Sequence, residues 1–203
     1  MTAQTRARDR LHAHLVVLLP GYRLTASRLV AERRLREVEA ALATLSGVRA
    51  ELARDLVAEV RELGRQAAAL RARIETLVAG HPLLGLPGIG PLVAARLIAE
   101  TGDVGRFRSP HAFAMLAGVA AIPASSGETR RMRLDRGGDR RPDRALYTIA
   151  LSQAWSHPPA RAYVDRKRSE GMSWTEAIRC LKHRISRPVF RLLQAGQEGW
   201  SGA

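Results

Sequence analysis

"LREVEAALATLSGVRAELARDLVAEVRELGRQAAALRARIETL", residues Leu35 to Leu77, decides the fold class. Its apolar positions Leu35, Val38, Leu42, Leu45, Val48, Leu52, Leu56, Val60, Leu63, Ala67, Leu70, Ile74 and Leu77 recur at steps of three or four. Such steps gather side chains on one stripe of an α-helix, whereas a strand would need a step of two. Charges including Glu59, Arg61, Glu62, Arg65, Arg71, Arg73 and Glu75 take the remaining faces. Ser46-Gly47 is the one break, so the spacing predicts two helices or one long kinked helix. The seam fits a coiled-coil arm and an ordinary pair of bundle helices equally well, because both use this period.

On the N-terminal side, residues 1–25 form a basic opening segment in which "LHAHLVVLLPGY" is a short helix stopped by Pro20-Gly21. On the C-terminal side the texture changes after His81-Pro82 to "LLGLPGIGPLVAARLIAETGD". A helix is expected from Pro91 to about Thr101, with Gly102 ending it. Ser109-Pro110 places an N-cap before a first-turn proline and opens "HAFAMLAGVA". A loop is expected through the 120s and 130s, then helices from Asp143 to Trp155 and from Ala160 to Arg168. Ser173-Trp174-Thr175-Glu176 is a capping box for a last helix that Pro188 should kink. The expectation is an all-α protein: a coiled-coil arm over 26–80, then a compact helical DNA-binding domain over 81–203.

Composition narrows the partner. The 203 residues carry 33 Lys+Arg against 19 Asp+Glu, a formal net charge of +14, with only 4% aromatic residues. A surface this basic attracts polyanions, and arginine, which dominates here, makes forked phosphate contacts. Between Pro123 and Arg191, sixteen basic residues face seven acids, a local excess of +9. Arg179, His183, Arg187 and Arg191 recur every four residues on the last helix, opposite Ile178, Leu181, Ile185 and Leu192. The single cysteine, Cys180, excludes an internal disulfide and a multi-cysteine zinc site and fits a small buried helix residue. The apolar run Leu15–Leu19 is too short to span a bilayer and no signal peptide is visible, so a cytoplasmic protein without membrane contact is expected.

Two short stretches suggest chemistry. "LPGIG", Leu86–Gly90, has the form of a helix-hairpin-helix turn, in which Gly88 and Gly90 would bring backbone N–H groups close to a phosphate and Ile89 would plug the fold. A tight turn chosen only for its dihedral angles is the competing explanation. "AIPASSGETRRMRLDRGGDRR", Ala121–Arg141, sets two serines before Gly127 and a run of arginines. Ser126 could attack a phosphodiester if those guanidinium groups stabilised the developing phosphorane charge. Taken on its residues alone, Ser-Gly is a common polar turn.

Resemblance changes that weighting. Residues 83–193, with "LPGIGPLVAARLIAETGDVGRFRSPHAFAMLAGVAAIPASSG", "RMRLDRGGDRRPDRALYTIAL" and "RAYVDRKRSEGMSWTEAIRCLKHRISRPVFRLL" in that order, resemble the C-terminal half of a bacterial insertion-sequence transposase of the insertion sequence one-ten family, the DEDD-type RNA-guided bridge recombinases. The segment before them resembles that family's coiled-coil linker. The resemblance implies that Ser126, with Ser125 in reserve, is the nucleophile that joins DNA covalently in transposition and recombination. The glycine turn and the local basic charge assign DNA contacts to Gly88, Gly90, Arg130, Arg131, Arg133, Arg136, Arg140, Arg141, Arg179, Lys182 and Arg187. The resemblance also implies a structured guide RNA as a partner, while the apolar seam of the arm points to a homo-oligomer formed through it. Metal-binding acids belong to an N-terminal RNase-H-like domain in that family. No metal ligands or cofactors are therefore assigned to this chain, and Mg2+ is expected only with that domain. A chain without the domain, whether truncated, split or decayed, should not recombine DNA alone. The competing class is a non-catalytic nucleic-acid-binding module that dimerises through its coiled coil.

Overall fold

In a computed structural model, residues 2–23, 25–126, 129–134 and 140–199 are described, with backbone alone for 121–126 and 129–134. The fold is all-α, and its helices divide between two compact units, residues 1–73 and 74–203.

The first unit holds α1 (Ala3–Leu18), α2 (Glu32–Ala43) and most of α3 (Val48–Leu77). The helical break falls at Thr44–Gly47, where the sequence placed it, and Gly47 adopts φ +102, a region that disfavours side chains. Arg54 seals the end of α2 by donating to the Leu42 and Leu45 carbonyls at 2.9 and 3.1 Å, groups that a helix terminus leaves unpaired. Arg61 bridges α3 to α2 through Glu32 and Glu39.

The opening segment is part of this unit and shares its core. Ala7, Leu11 and Leu15 of α1 are buried in one cluster with Leu35, Val38 and Leu42 of α2 and Ala53, Val57 and Val60 of α3. Leu63 still packs against that core, whereas further along the α3 seam Leu70 is 56% and Leu77 58% exposed.

The second unit is built on α8 (Trp174–Gly199), against which α5 (Pro110–Leu116), α6 (Arg140–Ser156) and α7 (Pro158–Ser169) pack, with α4 (Pro91–Thr101) against α6. Its core runs through Leu97, Phe113, Leu146, Ile149, Ile178, Leu181, Ile185, Val189 and Phe190. The capping box at the head of α8 forms as expected: the Ser173 N–H donates to Glu176 at 2.9 Å and the Glu176 N–H returns to the Ser173 hydroxyl at 3.3 Å. Helix α8 continues through Pro188. Helix α7 begins at Pro158, two residues before its expected start. Its two prolines occupy the first turn, where no intrahelical N–H is needed.

The expected loop is an antiparallel hairpin. Strand β1 (Ala121–Ser126) pairs with β2 (Thr129–Leu134) in the register Ala121↔Leu134 through Ser125↔Arg130 to Ser126↔Thr129. Helix α6 starts at Arg140, three residues earlier than the apolar pattern indicated.

His81 fixes how α8 ends against the segment after α3. The imidazole is buried, its Nδ1 accepts from the Leu83 N–H at 3.1 Å, and burial pushes its pKa below the usual 6.5. Gly196 of α8 faces it so closely that an added Cβ would lie 2.3 Å from the ring Nε2. Gly196→Ala is therefore expected to destabilise the 74–203 unit by about 2 kcal/mol, the scale of overpacking an anchored core. Urea denaturation would check this, and the double variant with His81→Ala should cost less than the sum of the two.

Candidate nucleic-acid interface

Helix α8 divides its faces as its sequence period demands. Ile178, Leu181, Ile185, Val189 and Leu193 are buried, while Arg179, Arg187 and Arg191 are exposed on the opposite side. His183 lies half-buried in the same stripe. Its pKa is lowered first by burial and then by the charges of Arg187 and His111, so it is neutral near pH 7. His111 belongs to α5, which packs against α8, and its charge reaches His183. Sequence spacing on α8 alone could not reveal this.

Lys182 does not belong to this set. It is only 5% exposed, its ammonium donates to the Asp143 carboxylate of α6, and it sits 5.7 Å from the Tyr147 ring centre. Position 182 follows Ile178 by four and precedes Ile185 by three, so it falls on the buried face. Its charge is spent inside the unit, and the expectation that it contacts DNA is corrected.

Arg140 and Arg141 open α6 and are exposed, and Arg141 lies 3.5 Å from Glu100 of α4. Arg130, Arg131 and Arg133 occupy β2 opposite Ser125, Ala124 and Ile122. Strand pleating gives positions 126, 124 and 122 one face together with their partners 129, 131 and 133, and gives 125 the other face with 130. Ser126 is the last residue of β1, at the end of the ladder. Gly127 and Arg136 lie outside the described residues.

The glycine turn has a packing cause. Gly88 has φ +83, and a Cβ there would come within 3.2 Å of the Ile149 carbonyl oxygen and 3.3 Å of the Ser152 and Gln153 side chains of α6. Gln153 locks the contact by donating to the Pro87 carbonyl at 2.7 Å. Gly88 is therefore held against α6, and both its dihedral angle and its neighbours require glycine. Gly90 is exposed, has open space where a Cβ would project, and caps α4 without a side-chain hydrogen bond. Ile89 is buried, as the plug reading requires, with Ala94 and Leu97 behind it. The element before the turn is a 3-10 turn, Pro82–Gly85.

One basic cluster was not visible in the spacing. The Tyr163 ring of α7 has Arg184 of α8 at 5.0 Å, Arg166 at 5.3 Å and Lys167 at 6.0 Å from its centre, contacts in the cation–π range. The pairs within α7 follow from helical neighbours; the Arg184 contact needs the tertiary fold. Among the described residues, no group of three or more His, Cys, Asp or Glu side chains could hold a metal ion. No helix described is long and apolar enough to cross a membrane.

Known proteins align with this chain. Residues 80–165 match the model of the transposase IS116/IS110/IS902 family. The 42 kDa protein of insertion element IS900 from Mycobacterium paratuberculosis is 33% identical over 147 residues, covering 71% of this chain and 37% of that protein. The 43.6 kDa protein of insertion element IS110 from Streptomyces coelicolor is 35% identical over 147 residues, 70% of this chain and 36% of that protein. A probable family 20 transposase from Pseudomonas aeruginosa is 31% identical over 143 residues, 66% of this chain and 42% of its own length. The chain thus spans little more than a third of the first two relatives. The matched stretch takes in the glycine turn, α4, α5, the serine hairpin, α6 and most of α7, and through it the chain belongs to the IS116/IS110/IS902 family of transposases.

Proposed function

We propose that this chain supplies the DNA-holding and strand-attacking part of a transposase. The observation that carries the proposal is the position of Ser126: the end of a two-stranded ladder whose second strand bears Arg130, Arg131 and Arg133. A hydroxyl at the end of a ladder can meet a DNA backbone, and guanidinium groups offer charge to the phosphorane that forms. In the step itself, the Ser126 oxygen bonds to phosphorus and the bond from phosphorus to one deoxyribose oxygen breaks. The hydroxyl proton passes through solvent to the departing oxygen. The DNA is then held as a phosphoserine ester, which keeps the energy of the broken link for rejoining. Ser125, across from Arg130, is the reserve nucleophile. The described residues do not fit a metal site, so no step is derived through a metal.

Arg179, Arg187 and Arg191, with Arg140, Arg141 and the hairpin arginines, hold the duplex by its phosphates. Contacts of that kind position DNA without reading its sequence. Gly90 at the head of α4 adds backbone, while Gly88 serves the turn. A structured guide RNA would meet the same positive surface. The uncovered stripe at Leu70 and Leu77 supports self-association through α3.

Duplex binding should weaken linearly in a log–log plot against salt, since each neutralised phosphate releases a counterion. Replacing Arg179, Arg187 and Arg191 together by alanine is expected to cut that slope by about three, roughly one per lost phosphate contact. Fluorescence anisotropy at several salt concentrations measures both. Affinity indifferent to salt would sink the interface.

A further inference from the structure

The last turn of α6 carries Trp155 with 70% of its surface exposed, whereas Ala145, Leu146, Ile149, Ala150 and Ala154 of the same helix are buried. The indole forms one wall of a shallow cleft of about 210 Å³, completed by Ser156, Pro158, Arg161, Ala162 and Asp165. That volume is below the range of ordinary cofactor pockets and suits a single flat ring system. The apolar part, from Trp155, Pro158 and Ala162, offers a planar face and small edges.

The polar part is sparse, and the fold limits what each group can do. Arg161 donates one N–H to the Trp155 carbonyl at 2.8 Å, which holds the guanidinium beside the indole and leaves its other N–H groups available. The Ser156 hydroxyl donates to the Ser152 carbonyl at 2.7 Å, so its proton is committed. Helix α7 starts beside the cleft, but Pro158 and Pro159 have no N–H to offer, and the Ala160 and Arg161 N–H groups bond to the His157 carbonyl. An anion at the cleft therefore has Arg161 to meet and no helix-end amides. Asp165, one turn after Arg161, has no ion-pair partner among the described residues. It is an acceptor for N–H groups and repels phosphate from its own side.

A ligand that satisfies this set has a flat aromatic face, an edge with N–H donors and ring acceptors, and a negative charge displaced to one side. We propose that the cleft is a stacking subsite for one unpaired nucleobase of a nucleic-acid strand. The base lies on the Trp155 indole, presents its N–H edge to Asp165, and has its backbone phosphate against Arg161. A paired base inside a duplex offers neither its face nor that edge, so the subsite selects unpaired nucleotides, DNA or RNA. This deepens the nucleic-acid reading above and rests on it: the arginine stripe of α8 holds backbones of either kind, whereas this cleft distinguishes an unstacked base.

The test uses the full chain with three probes: twelve-nucleotide oligothymidylate, twelve-nucleotide oligouridylate and a twelve-base-pair DNA duplex. Trp155→Ala is expected to weaken binding of one or both single strands by about tenfold, the scale of one lost base–aromatic stack, and to change duplex affinity less than twofold. The surface position of Trp155 means the variant should keep its helical circular-dichroism spectrum, and Trp155→Phe should retain most of the single-strand affinity. Arg161→Ala should reduce the salt slope for single strands by about one. Comparing oligothymidylate with oligouridylate identifies which strand is the ligand. Single-strand binding that ignores Trp155, or an equal loss on duplex and single strand, overturns the subsite while leaving the α8 interface standing. Failure of the unaltered chain to bind any of the three probes overturns both.

Discussion

Asp143→Ala is expected to destabilise the 74–203 unit by about 3 kcal/mol, whereas Lys182→Met should cost under about 1 kcal/mol. The asymmetry comes from which charge is left behind. Lys182 is almost completely enclosed, with Ile178, Leu181, Ile185 and Ser186 beside it on the buried face of α8. Removing Asp143 strands its ammonium away from water, and among the described residues the Tyr147 ring 5.7 Å away is what remains to offset the loss. Removing the ammonium instead leaves a carboxylate whose side chain is still 36% exposed and can be hydrated. That partial exposure also puts the Asp143→Ala cost at the low end for a broken buried pair. Methionine then fills the lysine channel with an unbranched chain of similar length. Urea denaturation of both variants measures the difference, and duplex affinity of Lys182→Met should match that of the unaltered chain. A large affinity loss there would return Lys182 to the interface.

Lys182 also shows what sequence could have revealed and did not. Counting it among DNA contacts followed its charge rather than its helical phase, yet the steps of four from Ile178 and three to Ile185 already put it on the buried face. The same applies to α1: Ala7, Leu11 and Leu15 repeat every four residues, a period that could have joined the opening segment to the seam of α2 and α3. Most helices were legible because their stripes, caps and stops obey local rules. Ser109, Gly102 and the Ser173–Glu176 box act within four residues of themselves.

The hairpin obeyed weaker rules. Pro123 lies inside β1 and cannot donate to a ladder, β2 is rich in arginine, and Gly127-Glu128 is a less distinctive two-residue connection than Asn-Gly. Gly88 was ambiguous for a different reason. A glycine required by a ligand and one required by a neighbouring helix look identical until α6 is placed against it. The Tyr163 cluster and the Trp155 cleft likewise depend on helices far apart in sequence or on how a helix end is capped, information that no spacing carries.

The largest effect expected concerns Ser126. The chain's hydroxyl at the end of β1 should be the only group through which DNA becomes covalently attached. Ser126→Ala should therefore reduce adduct formation to background, while Ser125→Ala should leave it measurable. The side chain lost is a single oxygen, so phosphate binding should survive, and the salt slope should stay as in the unaltered chain. The direct measurement is intact-mass spectrometry of this chain after incubation with duplex DNA, Mg2+ and the acidic RNase-H-like segment supplied in trans, followed by peptide mapping. The account predicts a DNA-linked species on the peptide containing Ser126 that disappears in Ser126→Ala; an adduct that persists in that variant, or none in the unaltered chain, would contradict it.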